Sequence, residues 1–188
     1  MKNGRTIVGA LAALALLVAT GAALAQGAAA IKGTDGNDSL NGTSERDRIV
    51  ALAGDDLVNA GGGNDRVHGN RGNDHLNGED GDDHVWGGEG EDVLTGGAGD
   101  DVLRGRSGDD QIDGGNGKDV IWVGRGADVE NGGDGDDKMH ALANDDQVDR
   151  IDCGSGHDTV FLNSKEKDVH VNCEVVKTVT ITTDGGDD

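Results

Sequence analysis

The chain has 188 residues, 37 Asp and Glu against 16 Lys and Arg, and a formal net charge of −21. That balance argues against binding nucleic acid or an anionic membrane surface, since both rest on an excess of Lys and Arg. With 34% hydrophobic and 2% aromatic residues, an ordinary core cannot fold the chain, and such a composition stays disordered unless something neutralises its acids.

Residues 1–25 read as a signal peptide. Lys2 and Arg5 form a basic start, Ile7 to Leu24 is an apolar run, and Ala23-Leu24-Ala25 offers a small-residue cleavage site before Gln26. The other reading is an uncleaved anchor, because the run is nearly long enough to span a bilayer. The Ala-rich, Gly-interrupted end favours cleavage, after which no membrane-binding stretch is left. Residues 26–32 form a short N-terminal segment.

From Asp38 to Asp146 an Asp recurs every nine residues, thirteen times without a slip. An apolar residue follows two positions later in every unit but one, where Glu130 stands instead. Gly precedes the Asp by two positions in eleven of the thirteen units, Glu45 and Asn144 being the departures. The consensus G-G-x-G-x-D-x-U-x is that of a nonapeptide parallel β-helix. Gly at the first, second and fourth positions, and Asn or Asp at the fifth, predict a tight turn with left-handed backbone. The last three positions predict a short strand whose eighth residue points inward. Turn carbonyls beside a carboxylate suit a large, hard cation, Ca²⁺ rather than Zn²⁺ or Mg²⁺.

Ninth positions differ between alternate units. Odd units carry Asn41, Asn59, Asn77, Thr95, Asp113, Asn131 and Asp149; even units carry Val50, His68, Trp86, Arg104, Trp122 and His140. The two sets share no residue type, which points to two units per 18-residue coil. An acidic chain thus carries one cationic, aromatic sheet face, on which Trp86, Arg104 and Trp122 are predicted to stack. That ladder either stabilises the sheet alone or forms a ligand-binding face for a glycan or an acidic partner. A zinc pair of His68 and His84 has no supporting spacing motif. No catalytic motif is present and the chain reads as no enzyme. The regular Thr array of an ice-binding solenoid is also missing.

Glu130 predicts a local defect, a bulge that swings Val129 inward being cheaper than a buried carboxylate. Past Asp146 the period breaks by three residues and restarts once at Cys153 to Val160. Residues 150–183 then read as a small β cap with two alternating strands. In an exported chain Cys153 and Cys173 most simply form one disulfide, free thiols or an intermolecular bridge being the alternatives. Residues 184–188 read as a solvated acidic tail.

On these repeats, from Gly33 to Asp149, the chain resembles the RTX (haemolysin-type) calcium-binding proteins. The resemblance implies an all-β fold: a parallel β-roll, or right-handed β-solenoid, over 33–149 with the C-terminal β cap. It also implies calcium between units n and n+2 on each edge, at most about eleven ions in all. The ligands carried over are Asp38, Asp56, Asp65, Asp74, Asp83, Asp92, Asp101, Asp110, Asp119, Asp128, Asp137 and Asp146. Asp47 is set aside because its turn, Gly42-Thr43-Ser44-Glu45-Arg46, departs from the consensus; Asp158 is a further candidate. Members of this family commonly leave the cell through a C-terminal signal, whereas this chain has the features of the general secretory route. The expected role is that of a secreted or cell-surface protein that folds on binding calcium and acts structurally or adhesively. An extracellular glycan-binding module is the alternative.

Overall fold

The computed structural model of the protein describes residues 30–181. Residues 1–29 and 182–188, on which the expected signal peptide and acidic tail fall, therefore lie outside the described residues. In chain order the strands begin with β1 (Ala30–Lys32), β2 (Ser39–Asn41), β3 (Arg48–Ala53), β4 (Leu57–Asn59), β5 (Arg66–Arg71) and β6 (His75–Asp80). There follow β7 (His84–Glu89), β8 (Val93–Ala98), β9 (Val102–Ser107), β10 (Gln111–Asn116), β11 (Val120–Arg125) and β12 (Val129–Gly135). The last six are β13 (Lys138–Ala141), β14 (Arg150–Asp152), β15 (Ser155–Gly156), β16 (Thr159–Asn163), β17 (Val169–Val171) and β18 (Val175–Val179).

All pairings are parallel, and the chain alternates between two stacked sheets. The first sheet runs β1-β3-β5-β7-β9-β11-β13-β16-β18, and the second runs β17-β14-β12-β10-β8-β6-β4-β2 with β15 beside β12. Each residue of the regular part pairs with the residue 18 positions on, as Trp86 with Arg104 and Arg104 with Trp122. The two-unit coil of a parallel β-roll is thus the architecture. Eighth-position side chains fill the interior in two facing rows, with Val58, Val67, Leu76, Val85, Leu94, Leu103 and Ile121 fully buried.

The roll is longer than its consensus repeats. Ile31 of the N-terminal segment already pairs with Ile49. The segment expected to form a cap adds coils of its own: β14 and β17 extend the second sheet, β16 and β18 the first. Cys153 and Cys173 are disulfide-bonded there, with Cα atoms 5.2 Å apart.

Two expectations about the turn need correcting. Left-handed backbone occurs at second and fourth positions, as at Gly97 (φ 117) and Gly99 (φ 133). It extends to the non-Gly second positions Leu52, Asn70, Glu79 and Arg106, yet no fifth-position Asn or Asp adopts it. Those fifth residues bond to the next coil instead. Asn37 Oδ1 accepts the N–H of Asp55, Asp55 that of Asn73, and Asn73 that of Glu91. First-position Gly serves a different end. A Cβ on Gly69 or Gly78 would run into the Oδ2 atom of Asp74 or Asp83.

The predicted bulge is absent. Glu130 sits in regular register between Ile112 and Ile151, 1% exposed, while Val129 faces solvent at 46%. Neither Glu130 oxygen has a hydrogen-bond partner. Burial first, then the neighbouring Asp149, Asp128 and Asp168, raise its pKa well above the ordinary carboxylate range. A neutral acid is the form this site favours, because an unpaired buried charge costs several kcal/mol.

Candidate metal centre

The ninefold Asp becomes two columns of carboxylates, one at each edge of the coil. In the first, the backbone N–H of Asp38 donates to Oδ1 of Asp56, Asp56 to Asp74, and so on through Asp92, Asp110 and Asp128. In the second, Asp47 donates to Asp65, then through Asp83, Asp101 and Asp119 to Asp137. Donor–acceptor distances run from 2.6 Å at Asp47 to 2.9 Å at Asp56. Each Asp reaches one coil along the axis, so neighbouring carboxylates stand about 4.8 Å apart, the spacing of adjacent strands.

Where the period breaks, the structure parts from the sequence reading. Asp146 is exposed and outside the column. Its place belongs to Asp149, 2% exposed, whose Oδ1 accepts the N–H of Asp128 at 3.0 Å. The three extra residues therefore lie before the ladder Asp, within the turn 141–148. This register buries Ile151 at 2% and leaves Val148 out at 36%. It also brings Cys153 in at normal spacing for its bond to Cys173. Asp146-x-Val148 and Asp149-x-Ile151 fit the same local pattern, so only the packing beyond them separates the two.

Three further carboxylates extend the columns. Asp149 N–H donates to Asp168, Asp137 to Asp158, and Asp158 to Glu174. Asp47, set aside from sequence, is a full member. Its turn lacks the fourth-position Gly, yet Thr43 closes it through an N–H and a hydroxyl on Asp47 Oδ2 at 2.6 and 2.9 Å. Thr34 does the same for Asp38 at 2.5 and 3.0 Å. Sequence gave no sign of these closures, because a second-position Thr has meaning only once the turn geometry is known.

Along the rest of the array, Asp149 and Glu174 apart, the second oxygen is orphaned. The Oδ2 atoms of Asp56, Asp65, Asp74, Asp83, Asp92, Asp101, Asp110, Asp119, Asp128, Asp137, Asp158 and Asp168 are buried without a hydrogen-bond partner. Buried polar atoms are nearly always satisfied, so twelve orphans in register form a donor set suited to cations. Burial is the main cause that pushes Asp101 and Asp110 up to about 8 and Asp74, Asp119 and Asp149 to about 7, against the lowering effect of the N–H each accepts. At the C-terminal end of the first column, ligand oxygens of Asp149, Glu166 and Asp168 all lie within 4.8 Å of one another. An all-oxygen, anionic donor set of this kind fits calcium.

The first-sheet face carries two runs of stacked side chains rather than an open aromatic platform. His68 lies on Trp86 with ring centroids 4.3 Å apart, and the Arg104 guanidinium lies 5.5 Å from the Trp122 centroid. Trp122 stacks on His140 at 3.8 Å, His140 on Phe161 at 4.6 Å, and Lys177 caps Phe161 at 4.9 Å. Of the expected Trp86–Arg104–Trp122 ladder, Arg104 stacks on Trp122 and Trp86 stands beside Arg104 in register; the run from Arg104 extends into residues beyond the repeats. His68 and His84 both lie against Trp86.

No curated protein matches the chain significantly. The family of the RTX calcium-binding nonapeptide repeat matches it in four copies, at residues 32–67, 60–94, 95–130 and 131–160. Together with the coil geometry, this coverage places the chain in the RTX calcium-binding repeat family.

Proposed function

We propose that this is a secreted protein whose roll folds on binding several calcium ions, and that it serves a structural or adhesive role outside the cell. The orphaned Oδ2 columns support the reading above all else. The ligands we assign are the twelve carboxylates with such an oxygen, together with Asp149 in place of Asp146. Asp38 and Asp47 contribute less, because Thr34 and Thr43 already occupy their second oxygens. Calcium would supply positive charge between coils that otherwise repel one another. Binding and folding are then a single process, since only the folded chain presents the columns. A Cys153–Cys173 bond suits an oxidising, extracellular setting.

Circular dichroism during a calcium titration, with magnesium as control, tests this. A cooperative gain of β signal with calcium alone is expected. A mature chain that stays compact and protease-resistant after exhaustive chelation at neutral pH sinks it. The alternative of a glycan stacked on Trp86 and Trp122 loses support, because the rings lie against His68, Arg104 and His140. What that face still offers a ligand is charge.

A further inference from the structure

The two sheets present opposite charge to solvent. Arg48, Arg66, Arg71, Arg104, Arg106 and Arg125 stand on strands β3 to β11 of the first sheet, and Lys32, Lys138 and Lys177 on β1, β13 and β18. All nine are exposed, and the only acid on the described strands of that sheet is Glu89. The second sheet reverses the balance. Its strands expose Glu79, Asp80, Asp113, Asp134 and Asp152 against one cation, Arg150.

Two features tie this separation to contact with another molecule. Like charges set directly opposite in neighbouring strands destabilise a sheet, yet Arg48 and Arg66 are register partners. Apolar side chains are also exposed on both faces, Trp122 on the first and Leu57, Val129, Val169 and Val171 on the second. Sheets that pack face to face bury such side chains between them.

We propose that the partner is a second copy of this chain, the first-sheet face of one copy docking on the second-sheet face of the next. Charge complementarity selects the pair, and the acids it requires are already present on the same chain. Both faces repeat at one coil spacing, about 4.8 Å. With the coil axes parallel, matching one rung brings its neighbours into step. The contact is heterologous and leaves one face of each kind free at the ends of the stack, so growth stays open and does not stop at a dimer. A net charge of −21 opposes association. Calcium in the carboxylate columns removes that opposition, so the association rests on the calcium reading, although both faces lie outside the columns.

The test follows the size of the mature chain by sedimentation in saturating calcium, at about 0.1 M and about 1 M salt, with circular dichroism of the same samples. Folded chain is expected to form species that grow with protein concentration at the lower salt and to return to monomer at the higher, where exposed charges are screened. Arg48→Glu combined with Arg66→Glu should weaken association about tenfold or more, and so should Glu79→Lys combined with Asp80→Lys. Mixed in equal amounts, the two double variants should associate again, because the unaltered first-sheet face of one meets the unaltered second-sheet face of the other. Folded chain that stays monomeric at the lower salt overturns the proposal, and retention of that monomer on heparin would assign the cationic face to a foreign polyanion instead. Association that survives about 1 M salt, that stops at a dimer, or that both double variants keep overturns it as well. Chain that calcium fails to fold overturns the calcium reading, and the stack with it.

Discussion

The middle of the roll and its C-terminal end build the same carboxylate columns by different means. Between Gly69 and Asp137 every turn takes five residues, and its left-handed positions are Gly except at Asn70, Glu79 and Arg106. At 141–148 the turn takes eight residues with no Gly, and 164–167 is Gly-free as well. Asp149 and Asp168 nevertheless stand in the column. What the two regions share is the edge carboxylate, followed two positions on by an apolar residue except at Glu130 and His170. Turn length and Gly content are one way to place that carboxylate.

The largest expected effect concerns what both regions share. Burial raises the column carboxylates above the ordinary range, to about 6 at Asp65 and Asp92 and about 8 at Asp101 and Asp110. The folded state then holds more protons than the unfolded chain from about pH 4 to 8, so metal-free stability is fully present below that window and falls as pH rises through it. Chelated protein should therefore gain β structure on acidification from pH 8 to 5, read by circular dichroism. Calcium binding should weaken over the same interval, because protons compete for the same oxygens. Equal β content at both pH values in chelator would contradict the assignment of the columns.

Next in size is Gly99→Val in the regular middle. Gly99 has φ 133 and a Cβ there would meet the Gly81 carbonyl, so a cost of about 3 kcal/mol or more is expected in calcium-loaded denaturant melts. Ala143→Val in the Gly-free turn, by contrast, should stay within about 0.5 kcal/mol. If the two cost the same, the middle and the end do not differ in the way described.

Glu130→Leu should be stabilising. It replaces an unpaired acid by a side chain like its neighbours Ile112 and Ile151, and a gain of about 1–4 kcal/mol is expected. A loss in the thermal midpoint would show that Glu130 has a partner, with a cation the first candidate.

The smallest effect discriminates most finely. Asp149→Asn should remove calcium stoichiometry or affinity at the C-terminal end of the first column, measured by isothermal titration. Asp146→Asn should leave both unchanged, because its side chain stands outside the column. The reverse result would restore the uninterrupted nine-residue register.

Much of this was legible in the residues alone. A strict period of nine, Gly at turn positions and an apolar eighth position determine a coil of two units, because backbone sterics and side-chain alternation act within a few residues of each other. The calcium chemistry was readable from the same repeat, the Cys153–Cys173 pairing because the chain has two cysteines, and the column of rings because a strict period returns each face at every eighteenth residue. Tertiary structure decided what depends on neighbours eighteen or more residues away. Burial of Ile151 rather than Val148 chose Asp149 over Asp146. Register with Ile112 drew Glu130 inward against its own preference. Local pattern proposes several registers of nearly equal merit, and the energy that separates them is the non-local packing of one coil on the next.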